Sequence, residues 1–289
     1  MGYRLVRKLP PYIFILPSML LLVTFTLYPL LKTFYLSLFN ASLSQAVFVG
    51  FSNFQMLFSN PVFITALINT LYFVVGAVPL TLIIALIIAM SIETLNGKFQ
   101  AFFRTVFYLP VITTPVVLSL VWLYIYNQDY GLANYLLSLI GIKPLQWLSN
   151  AQIALPALIL IVITWNFGQQ VIIYSAALGN VPKDLYEAAQ LDGAGAWAKF
   201  RHVTLPMLSP TTLFLVTTNT IAVFQVWIVD QLMTGGGPNF GTETIMYQIY
   251  QTAFNSYQFG LASAEAVILF AICLLILGIQ FTLLRKEIY

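Results

Sequence analysis

Charge is what this chain lacks most: only 7% of its residues are Asp, Glu, Lys or Arg, against about a quarter in soluble domains. So few charges cannot clothe a folded chain in solvated surface, and a water-soluble globule is excluded. Cysteine and histidine are almost as scarce. The single Cys273 rules out an intramolecular disulfide, and with His202 as the single histidine no Cys/His set has metal-ligand spacing. No Gly-x-x-x-x-Gly-Lys-Ser/Thr phosphate loop occurs, and no nucleophile–base pair stands out. The net charge of +3 is too small to imply a nucleic-acid partner.

What the chain has in abundance is apolar surface: 60% of residues are hydrophobic and the mean hydropathy is +0.89. A membrane span takes about 20 mostly apolar residues. Six such runs are present, at residues 12–36, 63–91, 105–126, 153–178, 211–233 and 262–284, which predicts an all-α membrane protein with residues 1–289 forming one domain. Arg4, Arg7 and Lys8 before the first run resemble the start of a signal peptide. The run is span-length and ends at no small-residue cleavage site, so it reads as a retained helix. Pro17 and Pro29 predict kinks within it. Residues 40–60 suit an external loop or an interfacial helix, and residues 127–152 an external segment with Trp147 in an aromatic belt.

An even number of spans puts both termini on one side, and positive charge chooses the side. Ten of the twelve Lys and Arg fall on the termini and the even connections: Arg4, Arg7, Lys8, Lys98, Arg104, Lys183, Lys199, Arg201, Arg285 and Lys286. Lys32 and Lys143 are the exceptions. The split predicts cytoplasmic termini and a cytoplasmic loop at residues 179–210.

That loop carries an island of charge: Lys183, Asp184, Glu187, Asp192, Lys199, Arg201 and His202. Pro182 with Asp184 and Glu187 marks a helix start, where carboxylates meet the positive end of the dipole. Gly193 and Gly195 mark its end, a second short helix fits from Ala196 to about His202, and Leu205-Pro206 with Pro210 would turn the chain into the fifth span. Ala188, Ala189, Ala194, Ala196 and Ala198 leave little bulk, which suits a docking element. An ordinary solvated loop would carry the same charges.

Glu187-Ala188-Ala189, three residues, Gly193, nine residues and Val203-Thr204-Leu205-Pro206 together resemble the EAA signature of ABC-importer permeases. Val203 stands where that pattern prefers Ile. Leu178 to Pro182, Met233 to Pro238 with Thr242-Glu243-Thr244, and Pro11 to Pro17 with Tyr28-Pro29 extend the likeness to the carbohydrate-uptake, maltose-type branch. The resemblance implies a type I ABC importer permease fold in the cytoplasmic membrane of a prokaryote. It implies that Glu187, Ala188, Ala189 and Gly193 contact an ATPase, with Asp192, Leu205 and Pro206 supporting the geometry. The implied partners are a second, similar permease, two ATP-binding subunits that hold the ATP and Mg, and an external solute-binding protein. The subunit itself would be non-catalytic. Its implied cargo is a sugar or oligosaccharide, with a glycerol phosphate or polyol as the alternative.

Polar groups at membrane depth are costly and therefore candidate path residues. Trp165, Asn166, Gln169 and Gln170 mark the fourth span, Asn219, Gln225 and Asp230 the fifth, and Glu265 the sixth. Amides beside aromatic faces suit a sugar path, although interhelical hydrogen bonds use the same groups. A stand-alone secondary transporter would instead show inverted repeats and paired charges at the midplane, and neither is visible in the sequence.

Overall fold

The structure, a computed structural model, describes residues 9–285. Arg4, Arg7, Lys8 and Lys286 of the charge count lie outside these residues. Helices dominate. Four continuous runs longer than a bilayer core, 61–93, 154–179, 196–224 and 259–283, join a shorter first run, 14–36, and one span broken at its centre. The chain's contacts divide into two units.

The first unit comprises the start of the chain to Asn60 and Ile249–Phe270. Helix α1 (Leu9–Leu22) passes through a π-turn at Val23–Leu27 into α2 (Tyr28–Leu36). Pro29 explains the turn. Proline has no N–H, and its ring crowds the carbonyl four residues back. Widening the turn lets Tyr28 donate instead to the Val23 carbonyl, five residues back. Lys32, an exception to the charge rule, sits over the Tyr35 ring 5.0 Å from its centroid. Residues 40–60, expected as a loop or interfacial helix, hold two short pieces. The first is a hairpin, β1 (Phe39–Ala41) antiparallel to β2 (Ala46–Phe48); the second is helix α3 (Ser52–Phe58). Buried Asn53 fixes the hairpin by donating to the Ser37 and Phe39 carbonyls at 2.8 and 2.9 Å.

The second unit spans Pro61–Gln248 and the end of the chain from Ala271. Its first helix, α4 (Pro61–Glu93), is the long second span. The third span departs from expectation. Helix α5 (Gly97–Ile112) begins eight residues before the expected start at 105 and is followed, after a 97° bend, by α6 (Pro115–Ile125). Pro115 bars helical geometry at the residue before it: Thr113 and Thr114 are extended, with ψ of 136° and 148°. The early start places Arg104 inside α5, paired with Glu93 at 2.6 Å.

After α6, residues 127–152 fold on themselves around helix α7 (Leu132–Leu139). Trp147, half-buried, donates to Asn134 at 2.9 Å and stacks on Tyr126. Helix α8 (Ala154–Gly179) is the fourth span, as expected. It runs against α5 at backbone distance: a Cβ at Gly168 would stand 2.1 Å from the Phe107 carbonyl oxygen. Small residues at such crossings are the usual means of close helix approach in membranes.

After the charged loop comes α11 (Leu205–Phe224), which ends nine residues before the expected boundary at 233. Its last turn tightens through i→i−3 bonds from Gln225 and Val226. The Val226 carbonyl then accepts from the Thr244 hydroxyl at 3.0 Å rather than continuing the helix. A separate short helix, α12 (Ile228–Met233), follows, and the glycine-rich segment leads to α13 (Ile245–Tyr250), a π-turn (Gln251–Asn255) and the last span α14 (Phe259–Arg285). Gln280 on α14 donates to Thr220 on α11 at 2.9 Å.

Candidate functional site

The charged loop folds as helix α9 (Lys183–Leu191), then α10 (Ala196–Lys199). Pro182 caps the first helix and Asp184 lies in its first turn. Its other end is a Schellman closure: Gly193, at φ +77°, donates to the Gln190 carbonyl, and Ala194 donates to that of Ala189. The left-handed backbone there is the reason for glycine. Glu187, Ala188, Asp192 and Gly193 are exposed and Ala189 is half-buried. Leu191 and Trp197 are 89% and 70% exposed.

Leu205-Pro206, expected to redirect the chain, do not. A π-turn at Phe200–Thr204 absorbs Pro206 as the earlier one absorbs Pro29, with Leu205 donating to the Phe200 carbonyl. The helix is therefore continuous from Ala196 to Phe224. Two contacts tie α9 to this rod: the Tyr186 and Thr204 hydroxyls meet at 3.0 Å, and Lys199 donates to Gln190 at 3.1 Å.

At the midpoint of α8 a cavity of about 220 Å³ is walled by Trp165 and Asn166, by Pro115 at the break of the third span, and by Ala222, Gln225 and Trp227 at the end of the rod. Two interrupted helices thus meet in one place. Irregular backbone is tolerated at membrane depth where it is buried in protein or lines a cavity. The Asn166 Nδ2 is buried and has no acceptor among the described residues. Such a donor costs about 1–3 kcal/mol unless something bonds it. Among the described residues no charged side chain lines this cavity.

Of the other sequence candidates, Gln169 lies one turn along α8 and lines a neighbouring cavity. Gln170 and Asn219 are buried, and neither lines the first cavity. Asp230 is fully buried in α12, beyond the spanning helix, with the Thr244 hydroxyl against its Oδ2. Burial holds its carboxyl well above the usual range, the nearby Glu243 charge adds to the effect, and the Thr244 hydrogen bond opposes it. Glu243 is itself raised by burial. Around them the segment 234–244 is braced by Asn69, donating to the Phe240 and Glu243 carbonyls, and by Thr70, accepting from Ile245. Glu265 is fully buried in α14 and accepts from Thr252 at 3.2 Å. Sequence reasoning missed Pro115 and Trp227. The first carried its signal in Thr113-Thr114-Pro115, and the second stands two residues from a candidate glutamine.

Residues 77–288 match the family described as binding-protein-dependent transport system inner membrane component. The lactose transport permease LacF of Rhizobium radiobacter is 36% identical over 84% of this chain and 83% of its own length. The sn-glycerol-3-phosphate transport permease UgpA of Agrobacterium fabrum is 31% identical over 98% and 97%. Among solved structures, a permease chain of a bacterial alginate ABC transporter, in complex with an alginate pentasaccharide-bound periplasmic protein, superposes with a TM-score of 0.83. It is 24% identical, covers 100% of this chain and 98% of its own, and shares the fold. The chain is a multi-pass protein of the prokaryotic inner membrane, and it belongs to the binding-protein-dependent transport permeases, the non-catalytic membrane subunits of ABC transporters.

Proposed function

We propose that this chain is one of two permeases in an ATP-driven, binding-protein-dependent importer whose cargo is an uncharged sugar or oligosaccharide. The observation that carries the reading is the 29-residue rod Ala196–Phe224. One end is bonded to the exposed helix α9, and the other lines the cavity between the broken spans. On this reading α9 meets an ATPase through Glu187, Ala188, Ala189 and Gly193, while Asp192, Leu205 and Pro206 keep its geometry. The split of positive residues supports a cytoplasmic position for this helix and both termini. ATP and Mg belong to two separate ATPase subunits. A second permease of the same family, forming a heterodimer, and an external solute-binding protein complete the assembly. The whole of residues 1–289 acts as one permease domain.

Cargo recognition falls to the cavity. Trp165 and Trp227 offer faces for sugar rings, and Asn166 and Gln225 offer amides for hydroxyls. Buried anions need a paired cation or dense donors, and this lining has no cation. That argues against a glycerol phosphate, the second reading that the likeness to UgpA favours. The test is Glu187→Lys and Gly193→Asp in the complete transporter. Either should lower uptake and binding-protein-stimulated ATPase activity while the subunit remains inserted and recoverable with its partners. Uptake at the wild-type rate in both variants would sink the docking assignment. Binding measurements on the partner solute-binding protein with lactose and with glycerol 3-phosphate decide between the cargo classes.

A further inference from the structure

Helix α7 has its polarity reversed. Leu132, Tyr135, Leu136 and Leu139 recur at i, i+3, i+4 and i+7, one stripe of a helix. Each is more than half exposed, and Ile140 extends the stripe at 71%. The side turned to the protein is held instead by an amide. Buried Asn134 donates to the Gln128 and Leu145 carbonyls at 3.1 and 3.0 Å, and accepts from the Leu145 N–H and the Trp147 indole at 3.0 and 2.9 Å. A surface helix of a water-soluble fold is arranged the other way, apolar stripe inward. The same bonds fix where the helix sits. Trp147 stacks on Tyr126 at the end of α6, with 5.1 Å between ring centroids. The Tyr126 hydroxyl in turn donates to the Ala157 carbonyl, in the first turn of α8, at 3.1 Å. Helix α7 is therefore pinned beside the ends of two spans. The exposed apolar side of α6, with Val117, Leu120, Val121 and Tyr124, leads to the same place.

We propose that α7 is an interfacial anchor, its leucine face lying at the boundary of headgroups and acyl chains on the side of the membrane opposite α9. Helices in that plane pair an apolar face with a polar one and sink the former about 5–10 Å into the boundary. Phospholipid is the occupant that the residues favour. The stripe carries no charge, and it continues the apolar surface of a span whose end it adjoins. Leucine is under-represented among the hot spots of protein interfaces, where Trp, Tyr and Arg lead, yet leucine dominates here. Lys143, an exception to the charge split, is exposed just past the helix, where such anchors carry cations for anionic headgroups. The anchor would hold the ends of the third and fourth spans at a fixed depth. It needs the chain's place in the membrane and no particular cargo.

The test uses the complete transporter in vesicles of phosphatidylethanolamine and phosphatidylglycerol, with Cys273→Ser and cysteine-free partner subunits as the background. Leu136→Cys and Leu139→Cys are each labelled with bimane. Ser138→Cys is the aqueous reference, because Ser138 is exposed off the stripe and borders a groove with Gln128 and Asp129. Iodide, present on both sides of the membrane, should quench the two stripe positions about tenfold less than the reference, since a face sunk about 5–10 Å is beyond an aqueous anion. A phospholipid carrying a nitroxide high on its acyl chain should quench them strongly and the reference weakly. Equal iodide quenching at all three positions would put the face in water and overturn the anchor. Protection from iodide without nitroxide quenching would mean that protein covers the face, which overturns it equally. Nitroxide quenching that disappears when the solute-binding protein is added would assign the stripe to that partner instead.

Discussion

Replacing Asp230 by asparagine probes the polar knot beyond the end of α11. Thr244 has one hydroxyl hydrogen and two acceptors beside it, the Val226 carbonyl at 3.0 Å and the Asp230 carboxyl. If the hydrogen goes to Val226, the other contact needs a hydrogen from the carboxyl itself, so Asp230 is the neutral acid. Burial pushes in the same direction, with Glu243 adding to it and the Thr244 bond opposing. The sign of the pH effect follows. The unfolded chain releases this proton at the ordinary carboxylate pKa, whereas the folded chain holds it higher. The contribution to stability is therefore full below the ordinary value and is lost as pH rises through the folded one. One proton gives a slope of at most about 1.4 kcal/mol per pH unit. Asparagine offers Nδ2 as the donor to Thr244 and has no charge to bury. Asp230→Asn should thus melt no lower than wild type at about pH 5 and higher at about pH 8, with a flatter profile between. Glu243, raised by burial, leaves a residual slope of the same sign. Intrinsic-fluorescence melting in detergent across that pH range is the assay. An asparagine variant that melts well below wild type near pH 8 would identify Asp230 as an ionised acceptor and refute the reasoning.

Two further outcomes follow from close contacts. Gly168→Ala should destabilise the subunit by about 1–3 kcal/mol, the usual cost of overpacking, because its Cβ would meet the Phe107 carbonyl 2.1 Å away. Gly179→Ala, with nothing within 4 Å, is the control, and equal melting of the two would contradict the close crossing of α5 and α8. Tyr186→Phe removes the half-buried contact with Thr204, worth about 1 kcal/mol. It should lower the sugar carried per ATP hydrolysed while leaving insertion and ATPase co-purification intact. Unchanged coupling in that variant would mean that α9 reaches the rod by other contacts.

Apolar run length was enough to find the spans and, for the second, fourth and sixth, their ends to within a few residues. It failed where a break is itself apolar. Val226, Trp227, Ile228 and Val229 read as more of the fifth span, yet the helix stops before them, and the Val226 carbonyl goes to Thr244, 18 residues onward. The bend at residues 113–115 was different, since Pro115 after two threonines signalled it locally and the apolar count outweighed the signal. Gly193 was legible because a helix end needing positive φ leaves few residue choices. For the cavity, Trp165, Asn166 and Gln225 could be named from residue type alone. Their separation from buried Gln170 and Asn219 depends on which way each helix is turned, and spacing within a single helix does not reveal that.

The misread at Pro206 has the largest mechanical consequence. A chain that turned there would leave the exposed loop hinged and its motion spent locally. Instead the π-turn keeps the helix bonded across the proline, from Leu205 to the Phe200 carbonyl. The 29 residues from Ala196 to Phe224 then form a rod of about 43 Å at 1.5 Å per residue. Its base is bonded to α9 through Tyr186 and Thr204. Its tip supplies Ala222 and is followed by Gln225 and Trp227 on the cavity wall. The compliant points lie at that tip and across from it, in the non-helical backbone at residues 225–227 and 113–114. A stiff lever flanked by two breaks delivers displacement where the breaks are, as hinges at element ends generally do. A push on α9 would therefore reshape the cavity before it bent the spans, which is the order of events that a transporter powered from outside its own chain requires.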